Sequence, residues 1–393
     1  MALSLDVRVE NRWGIMPLAA RAAAELSSGA SLTIRQVFDP RLNALNVVRL
    51  LMAVGVIFWH SFPLTGTDIA FDPLRQFVAE VWVDGFFAVS GFLITASWMR
   101  RPEVREYLLA RAIRIIPGFY VCLLITAFVV APIGVAMQGG SAIRLLLSPP
   151  RSSTWGRILA SGSSNEESAT PLPACRTRAP GNGSLWTLGW EVLCYLGVMA
   201  LGVAGLLKHQ WCLPSAFAAS WLLLLATHVT GMDGHPAAAA RFSIMFLAGA
   251  LVFQYQDRLR CTWPMVAMAC AVTLASMWLP DYRFVGAVFW SYAVISVGAL
   301  VKSKHLVMRN DISYGVYIYA FPVQQLLYLG VGAINQALFS VIAMALTIPL
   351  AAASWFVIEK PAKRLRGILG SQLPAQGRTA ESEAVSAAPA RPR

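Results

Sequence analysis

The chain has 393 residues, of which 57% are hydrophobic and only 13% are charged, and its mean hydropathy is +0.58. A soluble domain needs a more polar surface than this composition supplies, so the composition argues against a soluble protein. The net charge of +12 would suit a nucleic-acid-binding protein, but such a protein carries its Lys and Arg on one soluble domain rather than beside apolar segments. We therefore expect a protein embedded in a lipid bilayer, with no nucleic acid as a partner.

The two ends of the chain and its cysteines carry few functional signals. Residues 1–43 contain four acidic residues and no unbroken apolar segment, so they are expected to form a cytoplasmic lead-in rather than a cleaved signal peptide. Residues 362–393 begin with basic residues and continue with Ala, Pro, Glu and Arg, which predicts a disordered cytoplasmic tail. The six cysteines show neither disulfide nor metal-ligand spacing, and no metal site is predicted.

Apolar windows long enough to cross a bilayer recur along the chain, since a spanning helix needs about 20 mainly apolar residues. They predict an all-α, polytopic transmembrane helix bundle of about ten spans within a membrane domain at residues 44–361. The windows are 45–63, 81–99, 115–137, 185–206, 211–231, 242–257, 263–280, 284–302, 312–332 and 337–358. Basic residues follow the second, sixth, eighth and tenth windows, so the positive-inside rule places both termini in the cytoplasm. The connection at 138–184 is then a long outer loop, where we expect the acceptor to be selected.

The first span, NVVRLLMAVGVIFWHSFPLTG, places Arg49 and His60 in an otherwise apolar helix. Ionisable groups are costly there and are therefore usually functional. His60 follows Arg49 by eleven residues. At about 100° of rotation and about 1.5 Å of rise per residue, the two side chains face nearly the same side of the helix, about 16 Å apart along its axis, with His60 in the outer half. Histidine is the natural group to take a proton from a hydroxyl near pH 7. The alternative is that Arg49 extends to the inner interface and His60 is a packing residue.

The second span contains DGFFAVSGFLITASW, with Asp84 at its outer end and Ser90 and Gly91 along it. Small residues allow helices to approach closely, so Ser90 and Gly91 are read first as packing residues. Ser90 is also a candidate for the lining of a substrate cavity. Asp84 is either an interfacial residue or a functional one.

The segment YLLARAIRIIPGFY follows, with Arg111 and Arg114 three residues apart. This spacing places both side chains on one helix face at the cytoplasmic mouth. Guanidinium groups bind phosphate bidentately, so the pair suits a nucleotide-bearing donor. Two positively charged membrane anchors would show the same spacing.

The fourth span begins in NGSLWTLGWEVLCYL, where Asn182 and Ser184 are candidate helix N-cap residues and Trp186 is a candidate substrate contact. Glu191 falls a couple of turns inside, in the outer half of the membrane like His60. A buried carboxylate must be paired, protonated or facing water. Glu191 is therefore predicted either to orient His60 and stabilise its imidazolium or to hydrogen-bond a neighbouring helix.

The ninth span, NDISYGVYIYAFPVQQLLYLG, carries Tyr314, Tyr317 and Gln324. Their polar groups are candidates for binding a sugar or the amides of a pantetheine arm. Tyrosines near the ends of spans are also common in the aromatic belts of membrane proteins, which is the alternative reading.

Five segments, in this order, resemble the acyltransferase-3 family of bacterial membrane O-acyltransferases: the Arg49-x10-His60 helix, GFFAVSGFLI, RAIRIIP, NGSLWTLxxE and SYGVYIY. Each motif alone is weak, but their shared order over roughly residues 44–361 argues against chance. The resemblance implies that the residues tied to activity are Arg49, His60, Arg111, Arg114 and Glu191.

The resemblance also implies an activity. Members of this family move an acyl group, often acetyl from acetyl-CoA, onto surface carbohydrates such as lipopolysaccharide, exopolysaccharide or lipo-oligosaccharide signals. Here it implies multi-pass insertion in the inner membrane and transfer from acyl-CoA to a carbohydrate hydroxyl, with His60 as the general base. Acyl-CoA is then a co-substrate rather than a bound cofactor, and the other expected partners are the carbohydrate acceptor, the bilayer and polysaccharide-assembly proteins.

The chain departs from the family pattern at two points. Ala320 stands where the commoner pattern has a histidine, so a second histidine in the mechanism is in doubt. The short tail leaves no room for the esterase-like domain that some members carry after the last span.

Two other classes of protein remain open at this point. A multispan transporter or flippase for a glycan or a lipid-linked intermediate would also bury Arg, His and Glu around a central path. A polymerase of lipid-linked glycans is the third reading. Neither requires acyl-CoA, and the chain shows no strong internal repeat of the kind found in transporters built from inverted halves.

Overall fold

The computed structural model describes four stretches of the chain, which are residues 32–147, 185–303, 308 and 310–364. The helix N-cap candidates Asn182 and Ser184 lie outside the described residues. So do most of the predicted lead-in, most of the long outer loop and nearly all of the predicted tail.

Helices dominate the described part of the chain, whose only β-type pairing is an isolated bridge between Thr33 and Arg260. In chain order they are α1 (Ile34–Val37), α2 (Leu45–Thr65), α3 (Asp72–Arg100), α4 (Val104–Met137), α5 (Ala142–Leu147), α6 (Trp186–Val203), α7 (Cys212–Thr230), α8 (His235–Gln254), α9 (Trp263–Trp278), α10 (Arg283–Leu300), α11 (Ser313–Val331) and α12 (Gln336–Arg364). The predicted all-α class is confirmed.

Each apolar window of the sequence coincides with a helix, and within the described residues eight helices are long and apolar enough to cross a membrane. These eight are α2, α3, α4, α6, α7, α8, α10 and α12. Helix α9 is shorter, and the Tyr and Gln side chains of α11 lower its hydropathy. The polytopic helix bundle is therefore confirmed, whereas the number of about ten spans and the side on which each terminus lies stay predictions.

The centre of the bundle is formed by α3 and α8, whose backbones touch at two glycines. A Cβ atom at Gly91 would lie 1.9 Å from the carbonyl oxygen of Phe246, and one at Gly249 would lie 1.9 Å from the carbonyl oxygen of Ala88. Small residues permit this approach, as expected for Gly91. Beside the contact, the rings of Phe87 and Phe242 stack with their centroids 4.4 Å apart.

Replacing Gly91 with alanine is expected to lower the free energy of unfolding by about 1–3 kcal/mol, because the added methyl group forces two packed backbones apart. The check is the thermal unfolding midpoint of the detergent-solubilised protein. Gly197→Ala is the matched control, since nothing lies within 4 Å of a Cβ atom at Gly197 in α6. Equal midpoints for the two variants would show that α3 and α8 have room to separate.

The first span is held inside the bundle by several neighbours. Helix α2 packs against α3, α10, α11 and α12. At the N-terminal end of α2, the backbone N–H of Ala44 donates to the carbonyl of Gly298, and the Asn46 side chain donates to the carbonyl of Met308 at 2.8 Å. The helix that carries Arg49 and His60 is thus surrounded by protein on several sides.

Candidate active site

A buried carboxylate, Asp311, joins two of the predicted arginines. Its Oδ2 accepts hydrogen bonds from Nη1 of Arg49 at 2.5 Å and from Nη2 of Arg114 at 2.8 Å. Its Oδ1 accepts a hydrogen bond from the Ser313 hydroxyl at 2.5 Å. Three parts of the fold, namely α2, α4 and the connection before α11, therefore meet at one carboxylate, and we call Arg49, Asp311 and Arg114 the arginine bridge.

The charge of the arginine bridge follows from its environment. Burial alone would raise the pKa of the Asp311 carboxyl, but the guanidinium groups of Arg49 and Arg114 hold that pKa well below its ordinary value. The carboxylate is therefore ionised and neutralises one of the two cations. Within the bridge itself one positive charge remains in a buried place, since Arg49 is only 7% exposed, and the nearby carboxylate of Glu191 offsets part of it. Such a site favours the negative end of a dipole.

A small cavity of about 30 Å³ lies beside Arg49. This volume holds a water or two, or the tip of a larger ligand. Its lining residues are Arg49, Val83, Phe86, Phe87, Ser90, Thr187, Leu188, Glu191, Tyr314 and Tyr317. Five of the residues singled out in the sequence, on four different helices, therefore share one cavity: Arg49, Ser90, Glu191, Tyr314 and Tyr317.

Hydrogen bonds fix the polar groups around the small cavity. The Ser90 hydroxyl donates to Oε1 of Glu191 at 3.2 Å, and the hydroxyl of Tyr195 donates to the same oxygen. The Tyr317 and Thr187 hydroxyls are 2.6 Å apart. In contrast, the buried Nε of Arg49 has no hydrogen-bond partner among the described residues. Arg49 therefore keeps one unused donor in the buried surroundings of the cavity.

A larger cavity, of about 380 Å³, lies at the predicted cytoplasmic end of α3 and α4. Its lining includes four basic side chains, from Arg100, Arg111, Arg114 and Lys363, and among the described residues it contains no acidic one. The remaining lining residues are Leu93, Ser97, Ala110 and Ile113. We call this the basic cavity.

Two of the basic side chains in this cavity are anchored. Arg111 donates to the Ser97 hydroxyl at 2.6 Å, and its guanidinium carbon lies 5.2 Å from the ring centroid of Tyr107. Arg114 is anchored by Asp311. Both predicted phosphate-binding arginines thus face one cavity, and the arginine bridge lies between the basic cavity and the small cavity.

His60 lies on α2, outside the lining of the small cavity. Its Nδ1 is 2.9 Å from the carbonyl oxygen of Val56. A carbonyl only accepts hydrogen bonds, so Nδ1 carries the proton in the neutral ring and Nε2 keeps its lone pair. The ring packs edge-on against Phe321 of α11, with centroids 5.5 Å apart. This arrangement leaves Nε2 as the basic atom of the side chain.

Glu191 and His60 make no hydrogen bond to each other within the described ranges. The Glu191 carboxylate is bonded to Ser90 of α3 and Tyr195 of its own helix, while the imidazole is bonded to Val56. Of the two arrangements predicted for Glu191, the structure therefore shows the hydrogen bond to a neighbouring helix. Helical periodicity gave both residues an inward face but did not determine which neighbour each would meet.

Gln324 and Trp186, both predicted substrate contacts, pack elsewhere. Gln324 is fully buried. Its Nε2 donates to the carbonyl of Ile57 at 2.8 Å and to the Ser61 hydroxyl at 3.0 Å, next to the turn of α2 that carries His60. Trp186 packs against Phe242, with ring centroids 5.3 Å apart. Neither lines the small cavity.

A second set of buried charges lies at the predicted outer end of α3. Asp84 is fully buried and accepts hydrogen bonds from Nε of Arg241 at 3.0 Å and from Nε of Arg283 at 2.7 Å. Arg283 also donates to Glu80 at 2.5 Å and to Asp281 at 2.8 Å. Asp84 is therefore an ion-pairing residue inside the bundle, and its depth in the membrane stays a prediction. We call these five residues the outer ion cluster, and it ties α3, α8 and α10 together.

Metal ligation has no support in the described part of the chain, where no group of three or more His, Cys, Asp or Glu side chains is placed to hold an ion.

A helix bundle of this kind, with buried arginines between the basic cavity and the small cavity, defines a multi-pass membrane protein with an internal charged site. The sequence profile of the acyltransferase-3 family, described as an acyltransferase domain, matches residues 42–356. The chain therefore belongs to this family, as the ordered motifs predicted.

Two relatives show how far the similarity extends. A protein of Shigella phage Sf6 named O-acetyl transferase is 27% identical over 338 residues, which cover 81% of this chain and 95% of the relative. Nodulation protein 10 of Rhizobium leguminosarum bv. viciae is 27% identical over 352 residues, which cover 82% of this chain and 94% of the relative. No solved structure matches the chain. The similarity supports an O-acyltransferase.

Proposed function

We propose that this protein transfers an acyl group, acetyl in the first instance, from acyl-CoA to a hydroxyl of a cell-surface or exported carbohydrate, and that it does so in the inner membrane. The observation that carries the proposal is the arginine bridge. In a chain of an acyltransferase family, the arginine bridge joins a basic cavity suited to phosphates to the small cavity, whose mainly apolar wall carries a few polar groups.

The donor enters from the cytoplasm. Its phosphates bind Arg111 and Arg114, whose guanidinium groups suit bidentate contacts with phosphate oxygens. Its thin pantetheine arm then passes Arg49 and the hydroxyls of Tyr314 and Tyr317, which are polar groups able to meet the amides of the arm. The thioester at the end of the arm reaches the level of His60, about 16 Å beyond Arg49 along α2.

The acceptor hydroxyl approaches from the outer side and gives its proton to Nε2 of His60. Its oxygen attacks the thioester carbonyl, the carbon–sulfur bond breaks, and the proton passes from the imidazolium to the leaving CoA thiolate. An ester and free CoA are the products, and the histidine is neutral again. Glu191 holds the Ser90 hydroxyl beside the path of the arm. An acyl-histidine relay is a variant of this scheme.

The test is to incubate radiolabelled acetyl-CoA with membranes that contain the protein and with glycan fractions. We expect label in the glycan, and no label in membranes that lack the protein. A transporter or flippase would leave the glycan unlabelled, and a polymerase would change its chain length instead. Either of those results would overturn the proposed function.

A further inference from the structure

One carboxylate oxygen sets the positions of two cations that face different cavities. Oδ2 of Asp311 accepts the only hydrogen bond that the side chain of either Arg49 or Arg114 makes among the described residues. Arg114 lines the basic cavity and Arg49 lines the small cavity. The carboxylate is itself fixed by the fully buried Ser313 hydroxyl at the start of α11.

Removing the charge of Asp311 would leave two cations close together and poorly solvated. Arg49 would keep its contact with the Phe86 ring, whose centroid is 5.7 Å from the guanidinium carbon, and the attraction of the Glu191 carboxylate, to which it makes no hydrogen bond among the described residues. Buried cations without a hydrogen-bonded counter-ion are strongly disfavoured, so both side chains would turn toward water or away from each other. The two arginines would then leave their cavities together.

We propose that Asp311 is a positioning residue for acyl transfer, which rests on the function proposed above. It holds Arg114 toward the phosphates of the donor and Arg49 toward the path of the pantetheine arm. Because both contacts share one oxygen atom, loss of Asp311 weakens donor binding and turnover at once. Loss of Arg114 alone affects donor binding first.

The central variant is Asp311→Asn, which keeps the shape of the side chain and removes its charge. The matched control is Asp281→Asn in the outer ion cluster, because Asp281 is also buried and also accepts a hydrogen bond from an arginine, at 2.8 Å from Nη1 of Arg283. Both proteins are purified in detergent, and the folded fraction is measured by size-exclusion chromatography. Binding of CoA itself is followed by thermal shift, and acetyl transfer is measured per folded molecule.

For Asp311→Asn we expect the Kd for CoA to rise about tenfold and kcat to fall at least about tenfold. Changes of this size are common when a charge-assisted hydrogen bond is lost. Asp281→Asn should lower the unfolding midpoint and leave both kinetic quantities near wild type. Adding Arg114→Gln to Asp311→Asn should raise the Kd little further, since the two changes remove the same contact.

A purely structural role for Asp311 predicts that activity falls only in proportion to the folded fraction, as in the control, and that result would overturn the inference. If Asp311→Asn does not fold, Asp311→Glu keeps the charge on a longer side chain, and unchanged Kd and kcat in that variant would also overturn it. A wild-type protein that binds CoA but transfers no acetyl group would refute the proposed function. Loss of CoA binding in Asp311→Asn would still show that Asp311 positions Arg114.

Discussion

Replacing His60 with alanine is expected to abolish acyl transfer and to leave membrane insertion and folding intact. A general base contributes about 10²–10⁴-fold to a rate, so the remaining transfer should fall near the detection limit. The ring makes one local hydrogen bond, to Val56 in the preceding turn, and one edge-on contact with Phe321. Its removal therefore costs the fold little. Acetate on the glycan, measured per folded protein, is the quantity to compare.

A second histidine provides a matched control. Nδ1 of His228 is 2.9 Å from the carbonyl oxygen of Leu224, four residues earlier, which is the same local arrangement as at His60. Its Nε2 lies 3.9 Å from Asp281, in the outer ion cluster rather than near the arginine bridge. His228→Ala should keep its transfer activity. Full glycan acetylation in His60→Ala would remove the histidine from the mechanism.

Replacing Arg283 with methionine is expected to cost about 3–5 kcal/mol of stability, which is typical when one partner of a buried ion pair is removed. Arg283 is 3% exposed and donates to three carboxylates, on Glu80, Asp84 and Asp281. Without it, Asp84 keeps only Arg241 as a cationic partner. The unfolding midpoint in detergent and the yield of folded protein should both fall clearly.

The control for this variant is an exposed ion pair. Arg35 and Asp257 are 3.3 Å apart, and their side chains are 65% and 62% exposed. Exposed pairs contribute about 0–1 kcal/mol, so Arg35→Met should change the midpoint little. If Arg283→Met were no less stable than Arg35→Met, the outer ion cluster would not hold α3, α8 and α10 together.

The fold was largely predictable because the bilayer imposes a length and an apolar composition on each span. Polar and ionisable groups are costly inside such spans, and this cost made the site residues recognisable in the sequence. Ser90, Glu191 and Tyr317 were singled out as polar groups within apolar windows, and the structure places all three on one cavity. Helix periodicity also gave Arg111 and Arg114 a common face, and both line the basic cavity.

What the sequence did not reveal depends on contacts between distant segments. Asp311 escaped notice because it stands outside the apolar windows, beside Asn310, where an acidic residue is ordinary. The outer ion cluster was missed because the partners of Asp84 are 157 and 199 residues away. Its arginines, Arg241 and Arg283, stand directly before apolar windows, and the charge rule does not show that they turn inward to pair.

The central claim is that His60 lies where a cytoplasmic thioester and an outer hydroxyl meet. It is tested most directly in proteoliposomes of uniform orientation, with radiolabelled acetyl-CoA supplied only on the cytoplasmic face and the glycan acceptor only on the opposite face. We predict that the wild-type protein acetylates the acceptor across the membrane and that His60→Ala does not. Transfer at the wild-type rate by His60→Ala, or transfer only when donor and acceptor share one face, would contradict the claim.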